Sequence, residues 1–442
     1  MRIQPIFLLL VIASFSACSP GKNAGKSARA IFLDNPELKT AHIGISIYDP
    51  STGSYVYDYQ GDHYFVPASN TKLLMCYAAM KYLGDSLEGW AVHETPEDLY
   101  ILPKGDPTFL HPDFPGQAFF QFLTSTHKNI QLITNSKDRF EAYGSGWAWN
   151  DYLADYMPQR SRFDIYGNVV TFEASGDQLR AFPPVLKPPY LSEPISQTPN
   201  FNRKFSVSRL KEKNLFSFKP SAQDFKKQQV PFITDPMDTV QMRFLLDTLH
   251  MGMDDWRNRI KVIDIPFLKP VFTQPVDSLL KVTMHRSDNF FAEQTLLMVS
   301  EKLLGYMSDA RVIDSLLSTD YKDMPQRPKW VDGSGLSRYN LVTPRDFVFV
   351  LNKMKNEFDW KRITAILPTG GTGTFSNFYK SYAGRFYGKT GTLSNQVAMS
   401  GYIQSRSGKW LICSVLVNNT MAPAANVRKA VEQFVTGVAE RY

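Results

Sequence analysis

Val66-Pro67-Ala68-Ser69-Asn70-Thr71-Lys72-Leu73-Leu74 joins a strand-like segment to a helical one. The helix is expected to begin near Ser69, because Leu73, Leu74, Tyr77, Met80 and Leu83 recur at helical spacing and Gly84 ends the run. One turn puts residues i and i+3 on the same face, so the Lys72 amine reaches the Ser69 oxygen. The positive potential at a helix N-terminus disfavours the ammonium form and suits Lys72 to act as a base. Backbone N–H groups at that end are available to a developing oxyanion.

Ser-x-x-Lys by itself says little, since it also occurs at Ser19/Lys22, Ser125/Lys128, Ser208/Lys211 and Ser278/Lys281. Only Ser69/Lys72 opens a long amphipathic helix directly after a hairpin. Two further triplets complete a set. Ser287-Asp288-Asn289 starts a second helical stretch packed through Phe290, Phe291, Ala292 and Leu296, and Lys389-Thr390-Gly391 lies at the end of a strand. Gly391 there lets a substrate backbone come close. A nucleophile, two amines, a second hydroxyl and an amide are the parts of a serine acyl-transfer site with lysine as its base.

Outward from Ser69, Ile43, Ile45 and Ile47 alternate as in a half-buried strand, Asp49-Pro50-Ser51-Thr52-Gly53 turns, and Tyr55-Val56-Tyr57 starts a second strand. Near the C-terminus, residues 396–404 and 410–418 flank Arg406-Ser407-Gly408-Lys409 as a hairpin. A last helix there places Val427, Ala430, Val431, Phe434 and Val435 on one side. One sheet built from both ends of the chain and covered by helices is the expected core. The stretch from Ser69 to Ser287 is about twice that from Ser287 to Lys389 and is rich in Pro, Tyr and Phe, so an insertion falls between the first two motifs. Its basic run from Arg203 to Lys227 reads as a solvated face. Gly370-Gly371-Thr372-Gly373-Thr374 lacks the lysine of a phosphate loop and reads as a tight loop supporting the catalytic strand.

Met1-Arg2 and the short apolar run Ile6 to Ala13 form a secretory signal too short to span a bilayer. Phe15-Ser16-Ala17-Cys18-Ser19 resembles a bacterial lipobox, although Phe15 stands where Leu is usual. Cys18 is the expected lipidation site and Ser19 to Ser27 a polar tether. Cys76 and Cys413 lie in apolar surroundings and read as buried free thiols, with one bridge left open. A net charge of +7 suits an anionic wall surface and is too diffuse for nucleic acid. The seven histidines show no metal-ligand spacing, so no metal or cofactor is expected. His285 reads as a packing or surface residue, because Lys72 already fills the base role.

Taken together, the motifs resemble those of the penicillin-recognising serine enzymes, and more narrowly of the class C low-molecular-mass penicillin-binding proteins, D-alanyl-D-alanine carboxypeptidases and endopeptidases. Gly105-Asp106-Pro107, Gly146-Trp147-Ala148-Trp149-Asn150-Asp151, Ser287 to Gln294, Asp332-Gly333-Ser334-Gly335-Leu336-Ser337 and Leu367-Pro368-Thr369-Gly370-Gly371 extend the resemblance over nearly the whole mature chain. It implies an α/β (α+β) fold: a transpeptidase-like domain whose antiparallel sheet is flanked by helices, carrying a β-rich insertion. The division that follows is a signal peptide over 1–17, a tether over 18–30, the domain's first part over 31–90, the insertion over 91–274 and its second part over 275–442.

The resemblance implies roles as well. Ser69 would attack the carbonyl of D-Ala-D-Ala or of a peptide cross-link, Lys72 would take its proton, and Ser287, held near Lys72, would protonate the departing amine. Asn289 would hold the substrate amide, and Lys389 and Thr390 its terminal carboxylate. The N–H groups of Ser69 and Thr392 would form the oxyanion hole, and Asp151 would meet the free amine of a diaminopimelate side chain. The implied partners are peptidoglycan stem peptides, β-lactams and, through Cys18, a membrane on the periplasmic side of a bacterial envelope. A serine β-lactamase is the nearest alternative, but a class A enzyme would need Glu-x-x-Leu-Asn after the second motif, and Glu293-Gln294-Thr295-Leu296-Leu297 does not supply it. A non-catalytic peptidoglycan-binding lipoprotein is the other, and the complete set of motif residues argues against it.

Overall fold

The computed structural model describes residues 20–175, 178–185, 206–219, 227–251, 256–263, 265 and 267–442. Cys18, the signal segment and part of the basic run from Arg203 to Lys227 lie outside the described residues.

The two ends of the chain meet in one antiparallel five-stranded sheet. Its order, edge to edge, is Phe386–Leu393, Gln396–Gln404, Trp410–Asn418, His42–Asp49, Ser54–Tyr59. In the middle, Ile45 stands opposite both Val415 and Tyr59. Strand alternation sends Val397, Met399, Cys413 and Val415 to one face, with Ile43, Ile45 and Ile47, and Ala398, Tyr402, Ile412 and Leu416 to the other. The first face packs on the C-terminal helix Ala424–Arg441, and the second on helices Lys72–Tyr82, Val276–Arg286, Asn289–Leu304 and Pro344–Glu357. Helices therefore cover both faces, and the strand expected to be half-buried keeps Gly44 and Ser46 buried as well. Cys76 and Cys413 are free buried thiols.

Three expectations need correction. The helix after Ser69 is a short 3-10 turn, Ala68–Thr71, followed by the α-helix Lys72–Tyr82. Leu73 through Met80 are all buried, so this is a core helix and not an amphipathic one. The stretch from Pro20 on, expected to be a tether, is the helix Pro20–Ala28, continued by the π-helical turn Arg29–Leu33. Ala24, Ala28 and Phe32, four apart, form a small apolar stripe buried against the C-terminal helix, with the Phe32 and Phe434 rings 5.5 Å apart. Finally, a boundary at residue 91 would cut through the strand Ser86–Glu94, which already belongs to the insertion's sheet.

That second sheet runs Ile260–Lys261, Asn129–Ile133, Asp98–Pro103, Ser86–Glu94, Lys269–Pro275, so the chain enters and leaves the insertion on neighbouring strands. Trp90, Phe109, Phe163, Phe172 and Phe232 give it a core of its own. Asp106, in the Gly-Asp-Pro segment, is buried as a turn anchor: it accepts from the Thr108 N–H (2.9 Å) and hydroxyl (2.7 Å) and from the Thr273 hydroxyl (2.5 Å).

Candidate active site

Three elements converge on Ser69. The 3-10 turn presents it, with Ala68 in the left-handed region (φ 47°) immediately before it. The strand Phe386–Leu393 runs past it as the edge of the main sheet. Ser287 sits between helices Val276–Arg286 and Asn289–Leu304, itself left-handed (φ 62°), while Asp288 caps the second helix by accepting from the Phe291 N–H (3.0 Å).

Lys72 is fully buried and its amine has three contacts: Ser69 Oγ at 3.0 Å, Asn289 Oδ1 at 2.7 Å and the Ser334 carbonyl at 2.7 Å. Two of these are carbonyl oxygens, which only accept. A neutral amine satisfies both with its two hydrogens and is left with its lone pair directed at the Ser69 hydroxyl. Burial lowers the Lys72 pKa to about 8, opposed by the fields of Asp332, Glu293 and Asp288. The group is thus tuned towards the neutral form that a general base needs.

Lys389 is also buried. It donates to Ser287 Oγ (2.8 Å) and to its neighbour's carbonyl, Thr390 O (2.6 Å). Burial, then the nearby Lys72 and Arg428, hold its pKa well below the ordinary lysine value. The hydrogen bond that Ser287 makes is therefore to Lys389 and not to Lys72. Asn289 spans the cleft, accepting from Lys72 and donating through Nδ2 to the Tyr156 carbonyl of the insertion (3.0 Å).

Gly391 makes its close approach to the protein's own backbone: a Cβ there would sit 2.7 Å from Pro67 O and 3.0 Å from Ser69 N. The strand and the 3-10 turn are pressed together at this point. Asn70 adds a clamp, with its amide turned to donate to the Lys389 carbonyl (2.8 Å) and accept from the Ser400 N–H (3.2 Å). Thr392 continues along the strand, and its hydroxyl accepts from Arg428 (2.6 Å). Behind the strand, the Gly388 N–H donates to Pro368 O (3.1 Å) and Thr369 bridges to Tyr387, so the glycine-rich loop braces the catalytic strand.

Ser69, Asn289, Thr392 and Asp151 line one cavity of about 490 Å³, together with Arg338 and Tyr156. Asp151 accepts from the Tyr156 hydroxyl at 2.7 Å. His285 is half-buried one helix end away, and burial lowers its pKa.

A supporting shell stands behind the three motifs. Ser334, which holds Lys72 through its carbonyl, is itself held by Glu293, whose Oε1 accepts from the Ser334 N–H (2.7 Å). Arg160 of the insertion donates to Glu293 (3.2 Å) and Asp309 (2.6 Å). Burial and the neighbouring Asp332 push the Glu293 carboxyl up to about 7, against the pull of Arg160. Asp332 accepts from the N–H groups of Gly335 (2.8 Å) and Ser337 (2.6 Å) and from Asn340 (2.7 Å). Gly335 is left-handed (φ 80°), and a Cβ on it would meet Ala68 O at 1.9 Å. In the sequence, this shell shows as the segment Asp332 to Ser337 and as a lone acid in the apolar run Phe290-Phe291-Ala292-Glu293.

The model of the D-Ala-D-Ala carboxypeptidase 3 (S13) family matches residues 26–212 and 257–438. A D-alanyl-D-alanine carboxypeptidase of Actinomadura sp. (strain R39) is 24% identical over 445 residues, covering 89% of this chain and 80% of that protein. Penicillin-sensitive carboxypeptidase A of Dictyostelium discoideum is 22% identical, covering 88% and 85%. Among solved structures, penicillin binding protein 4 (dacB) from Haemophilus influenzae superposes with a TM-score of 0.69 at 18% identity, covering 94% of this chain and 98% of that one, and carries the fold. The class C low-molecular-mass resemblance seen in the motifs thus extends into both ends of the insertion, and the chain belongs to the D-Ala-D-Ala carboxypeptidase 3 (S13) family.

Proposed function

We propose that this protein is a serine-type D-Ala-D-Ala carboxypeptidase and/or DD-endopeptidase that acts on peptidoglycan stem peptides and is acylated by penicillins. The observation that carries this is the Lys72 amine, 3.0 Å from Ser69 Oγ with its two other contacts taken by carbonyl oxygens. Ser69 Oγ bonds to the substrate carbonyl carbon while its proton goes to Lys72. The oxyanion lies against the N–H groups of Ser69 and Thr392, where one lost donor typically slows the reaction about a hundred- to thousandfold. The C–N bond then breaks. The proton passes from Lys72 by way of Ser287 to the departing nitrogen, and Lys389, bonded to Ser287, keeps that hydroxyl in place. Water then attacks the ester, with Lys72 again as base. Asn289 holds the substrate amide, Lys389 and Thr390 bind the terminal carboxylate, and Gly391 keeps strand and nucleophile in contact. Asp151 takes the free amine of the stem peptide. Penicillin binding protein 4 from Haemophilus influenzae was crystallised with a β-lactam, which fits the same reading of a shared acylation site.

The envelope address belongs to the same proposal: residues 1–17 are a secretory signal, and Cys18 carries a lipid that holds the protein on the periplasmic side of a membrane. No described helix is long and apolar enough to cross a membrane.

The test uses protein lacking residues 1–18, with D-Ala-terminated pentapeptide and cross-linked muropeptide dimers, read by mass spectrometry beside a fluorescent penicillin. Loss of one alanine, or conversion of dimer to monomer, is expected, and Ser69→Ala should abolish both turnover and labelling. Persistent labelling of Ser69→Ala would remove Ser69 as the nucleophile.

A further inference from the structure

Arg428 stands outside the three motifs, on the second turn of the C-terminal helix Ala424–Arg441. Its Nη2 donates to Thr392 Oγ1 at 2.6 Å, and Thr392 lines the cavity that holds Ser69. A guanidinium has five N–H donors. Among the described residues this is its one hydrogen bond, and its Nε is buried with no partner. Its Cζ lies over the Phe378 ring, 6.0 Å from the ring centre.

The charge around it is lopsided. Lys72 feels three carboxylates, Asp332, Glu293 and Asp288. The charged groups that act on Lys389 are both cations, Lys72 and Arg428. Among the described residues, Lys389 donates to a hydroxyl and a carbonyl, and no carboxylate pairs with it or with Arg428. A half-buried guanidinium beside the strand, with no carboxylate paired to it among the described residues, is a charge that an anionic ligand can complete. The strand's two-residue period puts Thr390 and Thr392 together on the face that the Arg428 fork reaches, while Lys389 points to the opposite face, towards Ser287.

We propose that Arg428 is a specificity-determining residue that reads the C-terminal carboxylate of the substrate beside the Thr390 and Thr392 hydroxyls. This rests on the carboxypeptidase reading and extends it to a residue that no motif contains. A planar guanidinium with free donors suits a carboxylate better than a single ammonium does. The role is a preference for a charged chain end, without any part in proton transfer.

The experiment compares two substrates, a stem peptide ending in D-Ala-D-Ala with a free carboxylate and the same peptide as its C-terminal amide. Wild-type protein, Arg428→Gln and Arg428→Lys are each assayed on both. Arg428→Gln should lower kcat/KM on the acid about ten- to a hundredfold, chiefly through KM, because a charge-assisted hydrogen bond is lost. On the amide it should change less than about threefold, and Arg428→Lys should recover part of the loss. Equal losses on acid and amide would make Arg428 a mere support for Thr392 and overturn the proposal. Unchanged discrimination in an active Arg428→Gln enzyme would overturn it too, while leaving the carboxypeptidase reading intact. A wild-type enzyme inert towards both peptides would instead sink that reading, and this inference with it.

Discussion

In the proposed acylation a neutral Lys72 takes the Ser69 proton, and its surroundings set the pH at which that becomes possible. Burial brings its pKa down to about 8 while Asp332, Glu293 and Asp288 hold it up. The neutral fraction grows as pH rises through that value. Acylation by a penicillin, followed by stopped flow, should therefore accelerate from pH 6 to 9 with a midpoint near 8. A flat profile would mean that Lys72 is not the base. Glu293→Gln tests the shell behind it. Glutamine keeps an oxygen for the Ser334 N–H but removes a negative charge that favours the ammonium form. The midpoint should move to lower pH, and a shift upwards would contradict the electrostatic account.

Strand Phe386–Leu393 and the 3-10 turn Ala68–Thr71 touch where Gly391 lacks a side chain. Gly391→Ala would force the Pro67 carbonyl and the Ser69 N–H away from the strand. Displacement of about an ångström at such a point slows a reaction roughly a hundredfold. Penicillin labelling should drop by that order with the thermal midpoint little changed, and full labelling would show that the contact is not functional. At the other end of the chain, the helix Pro20–Ala28 and its continuation belong to the core. Phe32→Ala empties a fully buried site against Phe434 and should cost about 3–5 kcal/mol in urea unfolding. A loss under about 1 kcal/mol would restore the picture of a loose tether.

The insertion and the catalytic domain are bound together through helix Asn289–Leu304. It places Asn289 on Lys72, Glu293 on Ser334 and Arg160, and Glu301 on Lys104 (2.6 Å) and Arg162 (2.8 Å). Gln294 on the same helix donates to Ser161 O at 2.8 Å. A buried cation from the insertion thus balances a buried acid behind Lys72. Arg160→Met leaves Glu293 without its counter-charge, at a penalty of about 3–5 kcal/mol, whereas adding Glu293→Gln should return part of it. Strict additivity in that cycle, measured by urea denaturation, would show that the pair does not couple the two parts.

Sequence alone determined the features that the covalent chain imposes locally. The reach of Lys72 to Ser69 follows from one helical turn, the C-terminal hairpin from its turn residues, and the alternation of Ile43, Ile45 and Ile47 from strand geometry. Tertiary structure decided everything that depends on which distant surfaces meet. Helices on both sheet faces buried Gly44 and Ser46, and a tertiary groove beside the last helix turned a polar-looking leader into core. The same holds for partner choice at the site. Ser287 pairs with Lys389 across 102 residues, Glu293 with Arg160 across 133, and Thr392 with Arg428 across 36. Periodicity carries no information about such pairs. A buried charge is tolerated only where packing brings its partner, and packing is a property of the assembled layers.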